Sequence, residues 1–369
     1  MTERAPRPER IAAAARALGS ELRDLLTLYA DAVGANLAEQ FQMVAWDREQ
    51  LIGQIQLRLD ALRTQRFREL GDTNVRIIER ANQPLESLEL VWTNLRQGRR
   101  VKLEWEEGAC AVVPSLLRPL ARVLESTVGA PVLHISPTPW VRGGEEPSAS
   151  QMAFKVAHDN PEDPGLWPVV GVRRPGPRVA VVEASGDREL AAYVLARTSL
   201  RRSGVDPRGV KRAYVVDADD RFLRHLKRVW VGAVMGPPDA PFSFAGPVSP
   251  SVREAFLDAH RSWERVAGAE VLVAGGDLAR PSKSGRYLAP ALFACDWPAP
   301  DAPLVGPMMV VVRSRIDQAR AAAEAAAREG GQVVVVGANA SNYPGDVRYI
   351  RGALLVERLP PGLPDPRPV

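Results

Sequence analysis

The chain has 369 residues, of which 46% are apolar and 25% are charged, and its formal net charge is +4. This composition is typical of a soluble protein with one or two packed domains. The small positive charge is spread along the chain and does not favour a nucleic-acid partner. No apolar run approaches the roughly 20 residues that cross a bilayer, so we expect no membrane span.

The N-terminus and the cysteines bear on the location of the protein. The first ten residues lack the apolar core of a signal peptide. The two cysteines, Cys110 and Cys295, do not form a disulfide framework, which favours a reducing compartment. We therefore expect a cytoplasmic protein. The four histidines are scattered and show no metal-ligand spacing, so we expect no metal site.

The segment 9–69 shows apolar residues three and four positions apart, which predicts helices. Gly19, Gly34 and Gly53 are the expected breaks, giving two or three helices. We expect their apolar faces to pack on a sheet. A free coiled coil is the alternative, although no clean heptad runs through the segment.

Strands alternate with helices between residues 74 and 136. Strands are predicted at 74–79, 100–105 and 131–136, and helices at 85–95 and 116–124. This alternation predicts a parallel, doubly wound sheet. The following segment, 137–178, is rich in proline and glycine and is expected to be loop. We place a domain boundary there, which gives domains at 1–178 and 179–358 and a proline-rich tail at 359–369.

The second half predicts another α/β domain, with helices covering a largely parallel sheet of strands buried on both faces. The expected strands are 179–183, 212–216, 269–273, 308–312 and 332–336, with a last strand at 352–357. The expected helices are 187–197, 251–265 and 315–328.

Several stretches of this half carry a family resemblance. The series Gly246–Val248, Gly268–Gly276, Gly285–Phe293 and Gly306–Arg313 resembles the catalytic half of the NAD(P)-dependent aldehyde dehydrogenases. The chain is identified as a shortened, degenerate member of that superfamily. The resemblance implies an α/β fold with two Rossmann-like doubly wound domains, of which the N-terminal one is reduced.

The family's chemistry requires a cysteine nucleophile in the loop before the strand at 212–216. Pro207 stands at that position, and neither Cys110 nor Cys295 is near it in the sequence. We expect both cysteines to be structural. Ser203 is a conceivable substitute, but no histidine or aspartate is placed by a known pattern to activate it.

The resemblance also places the family's base and cofactor residues. The position of the glutamate base falls in Val170–Pro177, which contains no carboxylate, and the nicotinamide-ribose glutamate is replaced by Pro303. The lysine that binds the adenosine ribose is replaced by Glu104, with Lys102 two residues earlier. Gly143-Gly144 is a poor match to the family's phosphate loop. We therefore expect weak or no NAD(P) binding, and no cofactor.

One chemical position is retained. Asn82, before Gln83-Pro84, matches the oxyanion asparagine of the family. Without a nucleophile, the simpler interpretation is that Asn82 shapes its turn. Only 69–73 joins the helices to the strand at 74–79, which is too short for the family's oligomerisation hairpin. The family's hairpin-swapped oligomer is therefore not expected.

These observations lead to three hypotheses about function. The first is a non-catalytic aldehyde-dehydrogenase-like protein, a pseudoenzyme, that binds a protein partner or a small molecule. The second is an NAD(P)-dependent oxidoreductase that acts on an aldehyde or acyl group through an unrecognised site. The third is a subunit that caps, scaffolds or regulates another enzyme.

Basic residues near Pro207 are either solvated charges or a surface for an anion or an acidic partner. They are Arg197, Arg201, Arg202, Arg208, Lys211 and Arg212.

Overall fold

The computed structural model describes residues 6–65, 67, 70–71, 73–137, 167–169, 178–207, 209–281, 286–329, 331–337, 343 and 346–350. Residue contacts divide the chain into two compact units. The first unit comprises residues 1–41 and 48–173, and the second comprises 42–47 and 174–369. The segment 42–47 therefore departs from the predicted division into contiguous stretches.

Four helices open the chain, where the sequence predicted two or three. They are α1 (Pro8–Ala17), α2 (Glu21–Leu28), α3 (Ala30–Phe41) and α4 (Ala45–Thr64). Gly19 lies between α1 and α2 as predicted, whereas Gly34 and Gly53 lie inside α3 and α4. A glycine inside a helix costs only about 1 kcal/mol, so neither glycine ends its helix.

The first unit contains three parallel strands, β1 (Val75–Glu79), β2 (Val101–Trp105) and β3 (Leu133–Ile135), hydrogen-bonded in that order. Two helices connect them, α5 (Glu86–Arg96) and α6 (Val112–Val128). Helix α1 packs on α5 and α6 rather than directly on the sheet, which corrects the sequence prediction. Parallel strands bring the carboxyl ends of β1, β2 and β3 to one edge of the sheet.

The second unit is built on a seven-stranded sheet with the order β12-β11-β4-β5-β10-β9-β6. These strands are β4 (Val179–Val182), β5 (Arg212–Val216), β6 (Glu270–Val273), β9 (Ala291–Asp296), β10 (Met308–Ser314), β11 (Gln332–Val336) and β12 (Asp346–Ile350). A separate hairpin is formed by β7 (Gly276–Pro281) and β8 (Arg286–Ala289). The α/β class and the Rossmann-like layering predicted from the sequence are thus confirmed.

Four helices cover this sheet: α7 (Arg188–Leu200), α8 (Asp220–Val231), α9 (Pro250–Glu264) and α10 (Ile316–Arg328). The sequence analysis did not predict α8, although its buried residues recur three and four apart. Each predicted helix buries apolar side chains, such as Tyr193 in α7 and Trp263 in α9. Among the described residues, no helix is long and apolar enough to cross a membrane.

The strand β6 differs from its prediction. It pairs antiparallel with β9 and forms one edge of the sheet, with Glu270 and Val271 exposed. The predicted burial on both faces is therefore wrong for this strand. Strand β9, which begins within the landmark 285–293, lies between β10 and β6 in the interior of the sheet. The last predicted strand, 352–357, lies outside the described residues.

The segment 42–47 enters the core of the second unit. Val44 is fully buried and Trp46 is 6% exposed. The indole Nε1 of Trp46 donates to the carbonyl oxygen of Phe244 at 2.7 Å, and the two rings lie 5.2 Å apart. Burial of two such side chains contributes about 1.5–3 kcal/mol each, which explains why this segment belongs with residues far along the chain.

Candidate functional site

The loop between α7 and β5 contains Pro207, where the resemblance places the family's nucleophile. Helix α7 ends at Leu200, and a 3-10 turn spans Arg201–Gly204. Arg202 and Ser203 have positive φ angles of 50° and 55°. Such non-glycine conformations cost about 1–3 kcal/mol and persist only where surrounding contacts hold them. Two contacts do so here. The backbone N–H of Arg202 donates to Asp47 Oδ2 at 2.9 Å, and Ser203 Oγ donates to the Gly246 carbonyl at 2.7 Å.

Lys211 fastens this loop to the turn that precedes β10. Its ammonium Nζ donates to the carbonyl oxygen of Gly204 at 2.7 Å and to that of Gly306. Gly204 has φ +73°, and a Cβ added there would lie 2.0 Å from the Gly306 oxygen. Only glycine fits so close an approach. Burial lowers the pKa of Lys211 to about 7, with the Asp206 carboxylate opposing that shift.

A buried carboxylate supports the same loop. Asp47 is 1% exposed, and burial raises its pKa to about 7 despite the Arg201 guanidinium nearby. Its Oδ1 has no hydrogen-bond partner among the described residues, while Oδ2 accepts from Arg202. Asp206 pairs with Arg201 Nε at 3.2 Å. Ser203, already bound to a backbone carbonyl, faces no histidine in these contacts. Hydrogen bonds and an ion pair therefore hold the loop in one conformation, and its side chains have a structural role.

Neither cysteine supplies a nucleophile to this loop. Pro207 is partly exposed and has no side-chain donor. Cys110 and Cys295 are both buried. Burial raises the pKa of Cys110 to about 12, and its thiol donates to Asn36 Oδ1 at 3.3 Å. Burial also raises the pKa of Cys295, with the Asp296 carboxylate adding to the shift. Because the thiolate is the reactive form, both cysteines are poor nucleophiles in the folded protein.

Four of the six basic residues near Pro207 are engaged within the protein, whereas the sequence predicted either solvated charges or a surface for an anion or an acidic partner. Arg197 is 6% exposed and stacks on the Trp46 ring at 5.6 Å. Arg212 Nη2 donates to the carbonyls of Pro300 and Ala302 at 3.3 and 3.2 Å. Arg201 and Lys211 are engaged as described above, and Arg208 lies outside the described residues. The partners of these basic side chains are distant in the sequence, so the clustering of basic residues along the chain could not reveal these contacts.

In the first unit, Asn82 lies exposed in the turn after β1. That turn is organised by Glu79, which ends β1 and is fully buried. Its two carboxylate oxygens accept from the backbone N–H groups of Leu85 and Ser87 at 2.7 and 3.2 Å. Burial raises the pKa of Glu79 to about 7. The sequence analysis missed this residue; the signal was a glutamate closing an apolar strand just before a helix start.

Glu104 is the penultimate residue of β2 in the first unit and is 7% exposed. Arg76 Nη2 lies 2.6 Å from its Oε2, and Lys102 Nζ lies 2.8 Å from its Oε1. Burial alone would raise the pKa of Glu104, but the two cations hold it below its ordinary value. The carboxylate is thus ionised and neutralised by two cations. The isolated negative charge expected from the sequence is not present.

The other predicted positions are less informative. Gly143-Gly144 and Val170–Pro177 lie outside the described residues. Pro303 is exposed, and its carbonyl oxygen accepts from Trp263 Nε1 at 2.9 Å. Where the structure describes the chain, no group of three or more histidine, cysteine, aspartate or glutamate residues comes together to hold a metal ion.

Comparison with solved structures identifies proteins with a similar fold. The sequence matches no protein-family model and no curated protein. Solved structures do match. An NAD-dependent benzaldehyde dehydrogenase from Corynebacterium glutamicum is similar with a TM-score of 0.64 and 17% identity over 94% of this chain and 81% of that chain. A succinic semialdehyde dehydrogenase from Streptococcus pyogenes, in complex with NADP+, gives 0.67 and 15% over 91% and 81%.

A third neighbour, glyceraldehyde-3-phosphate dehydrogenase from Methanocaldococcus jannaschii complexed with NADP, has a TM-score of 0.65 and 13% identity over 92% of this chain and 80% of that chain. At this identity the likeness is one of fold. The chain has the fold of the aldehyde dehydrogenases, as the resemblance predicted.

These neighbours contradict the expectation that no cofactor is involved. The three structures are those of an NAD-dependent enzyme and of two enzymes with bound NADP. The expectation rested in part on Glu104 as a negative charge at the cofactor position, and in the structure Arg76 and Lys102 pair with that carboxylate. The local charge of the three groups is positive.

Proposed function

We propose that this aldehyde-dehydrogenase-like protein binds a nicotinamide dinucleotide through its first unit and does not oxidise aldehydes covalently. The observation that carries the first part is the position of Glu104. In doubly wound folds, ligands bind at the carboxyl ends of the strands, and an acidic side chain near the second strand accepts hydrogen bonds from the adenosine ribose. Glu104 occupies such a place on β2.

The carboxylate of Glu104 has the chemistry for that role. Each of its oxygens holds one cationic side chain, Arg76 on Oε2 and Lys102 on Oε1. An ionised carboxylate offers about four acceptor positions. Arg76 uses two of them on Oε2, through Nε and Nη2, and Lys102 uses one on Oε1, so one position remains for a ribose hydroxyl. A ribose 2′-phosphate would instead meet the negative charge of Glu104 directly. We therefore propose a preference for NAD over NADP.

The second part rests on the loop 201–211. Acyl transfer of the family's kind needs an activated nucleophile. Pro207 has none, Ser203 Oγ is committed to the Gly246 carbonyl, and both thiols are buried. Loss of a nucleophile commonly lowers turnover by about a million-fold. The dinucleotide would then serve as a bound ligand that stabilises the protein or reports on cofactor levels.

We also propose that the protein acts through a protein partner. We propose that this partner does not join through the family's swapped hairpin. The residues described between 65 and 74 include no strand. Size-exclusion chromatography with light scattering, with and without NAD, tests this point. Elution as a dimer or tetramer would contradict this part of the proposal.

The experiment that tests the cofactor is isothermal titration with NAD and NADP. We expect NAD to bind more tightly than NADP and the Glu104→Gln variant to bind NAD several-fold more weakly. Glu107→Gln is the matched control, because Glu107 is exposed and lies three residues along the same segment. Absence of NAD binding by the parent protein would refute the cofactor proposal.

Turnover is assayed separately with several aldehydes and both cofactors. We expect none in the parent protein or in the Cys110→Ser/Cys295→Ser variant. Aldehyde oxidation by the parent that disappears in the double variant would show that one thiol is catalytic and would refute the second part.

A further inference from the structure

A groove lies at the carboxyl edge of the second unit's sheet, where α7 follows β4 and α8 follows β5. The loop 201–211 precedes β5 and therefore lies at the opposite edge of the sheet, where the amino ends of the strands meet. Its volume is about 550 Å³, within the range of small-molecule sites. The residues that line it are Asp187, Arg188, Glu189, Asp219, Arg221, Phe222, Arg224, His225 and Arg228.

The lining is cationic. Four arginines face three carboxylates, which leaves a formal charge of 4 − 3 = +1 before any protonation of His225. Two of the carboxylates are committed to the helices. Asp187 Oδ1 accepts from the backbone N–H groups of Glu189 and Leu190 at 2.9 and 3.0 Å, and Asp219 Oδ1 accepts from Phe222 at 2.7 Å. The helix starts are therefore already capped, and recognition of an anion falls to the guanidinium groups.

The arginines of α8 are available for a ligand. Arg224 and Arg228 are exposed and lie one turn apart, and neither makes a hydrogen bond or an ion pair within the described part of the chain. Like charges at this spacing repel each other, so an anion bound between them would relieve the repulsion. Arg221, one turn earlier, approaches Glu189 only to 3.9 Å.

Arg188 gives the groove a fixed base. Its Nη2 donates to the Val216 carbonyl at 2.7 Å, and its guanidinium stacks on the Phe222 ring at 5.6 Å. The other terminal nitrogen, Nη1, has no partner among the described residues. A guanidinium held in this way has little conformational freedom left to lose on binding, which favours affinity.

We propose that this groove binds a small phosphorylated molecule, with Arg188, Arg224 and Arg228 as its principal contacts. Guanidinium groups match phosphate oxygens with paired, charge-assisted hydrogen bonds. Several arginines around one groove favour a ligand with more than one negative charge over a single carboxylate. The site is distinct from the dinucleotide site proposed above, since all of its residues belong to the second unit.

The test uses tripolyphosphate as the probe, titrated calorimetrically into the full-length protein at constant ionic strength. Arg224→Gln/Arg228→Gln is the test variant, and Lys227→Gln is its control, because Lys227 is an exposed cation of the same helix that does not line the groove. We expect the parent and the control to bind equally and the double variant to bind about tenfold or more weakly. Both variants should fold, because the changed side chains are exposed.

Two results would overturn the proposal: no binding of tripolyphosphate by the parent, or equal binding by the parent and the double variant. A parallel titration with NAD separates this site from the first one. The double variant should retain the parent's affinity for NAD, whereas Glu104→Gln should retain the parent's affinity for tripolyphosphate. Loss of NAD binding in the double variant would mean that the groove is the dinucleotide site and that the two proposals are not independent.

Discussion

Lys211 donates a hydrogen bond from its ammonium group to the carbonyl oxygen of Gly204, 2.7 Å away. The same nitrogen donates to Gly306, so a single side chain joins the loop after α7 to the turn before β10. The amine is buried, and its pKa is lowered to about 7. The buried Lys211 side chain therefore holds this loop in place through two hydrogen bonds.

The pKa of Lys211 has a consequence for stability. Between pH 7 and 10 the unfolded chain binds a proton at Lys211 that the folded protein does not, so the free energy of unfolding rises with pH through this window. The variant Lys211→Met should lack this rise. Urea unfolding at pH 7, 8, 9 and 10 measures it, with exposed Lys227→Met as control. A parent and Lys211→Met with parallel pH profiles would contradict the prediction.

Asp47 should have the opposite dependence. Its pKa is raised to about 7, so between about pH 4 and pH 7 the folded protein binds a proton that the unfolded chain does not. The free energy of unfolding should therefore fall as pH rises through that window. The variant Asp47→Asn should lack this pH dependence, which urea unfolding at pH 4.5, 5.5, 6.5 and 7.5 measures. If the free energies of unfolding of parent and variant differ by the same amount at every pH, the carboxylate is ionised in the folded protein and the prediction is wrong.

Gly204 should not tolerate a side chain. A Cβ would meet the Gly306 oxygen at 2.0 Å, and φ is +73°. We expect Gly204→Ala to lower the free energy of unfolding by about 3 kcal/mol, from both overpacking and backbone strain. Gly53→Ala is the control, since nothing lies within 4 Å of that site in α4. It should raise stability by about 0.5–1 kcal/mol. Equal melting temperatures for Gly204→Ala and the parent would show that the loop moves freely.

The two cysteines should be unreactive in the folded protein. Burial raises the pKa of both thiols, so few thiolates form at pH 8. Iodoacetamide should label native Cys110 and Cys295 at least a hundredfold more slowly than the unfolded chain, in proportion to burial and thiolate content. Peptide mass mapping over time follows each site separately. Rapid labelling of either cysteine in the native protein would identify an accessible thiol and reopen the question of catalysis.

The sequence by itself determined the layered α/β fold. Apolar runs such as Val333–Val336 specify buried parallel strands, because a strand covered on both faces has no polar side. The absence of a cysteine in 196–216 and the presence of Pro207 are also properties of the sequence that no folding can change. Helix boundaries near Gly34 and Gly53 were predicted wrongly, since packing outweighs the small cost of a helical glycine.

Only the tertiary structure decided how the charged residues are used. The sequence predicts a repulsive charge at Glu104, but Arg76, from another strand, lies 2.6 Å from its carboxylate. Lys211 and Arg197 are near Pro207 in the sequence, yet Lys211 binds the Gly306 carbonyl and Arg197 lies over the Trp46 ring. The effect of a charge depends on its partners and on its burial, and both are set by residues distant in the sequence. Secondary structure follows from local patterns, whereas electrostatic environment arises when the chain folds.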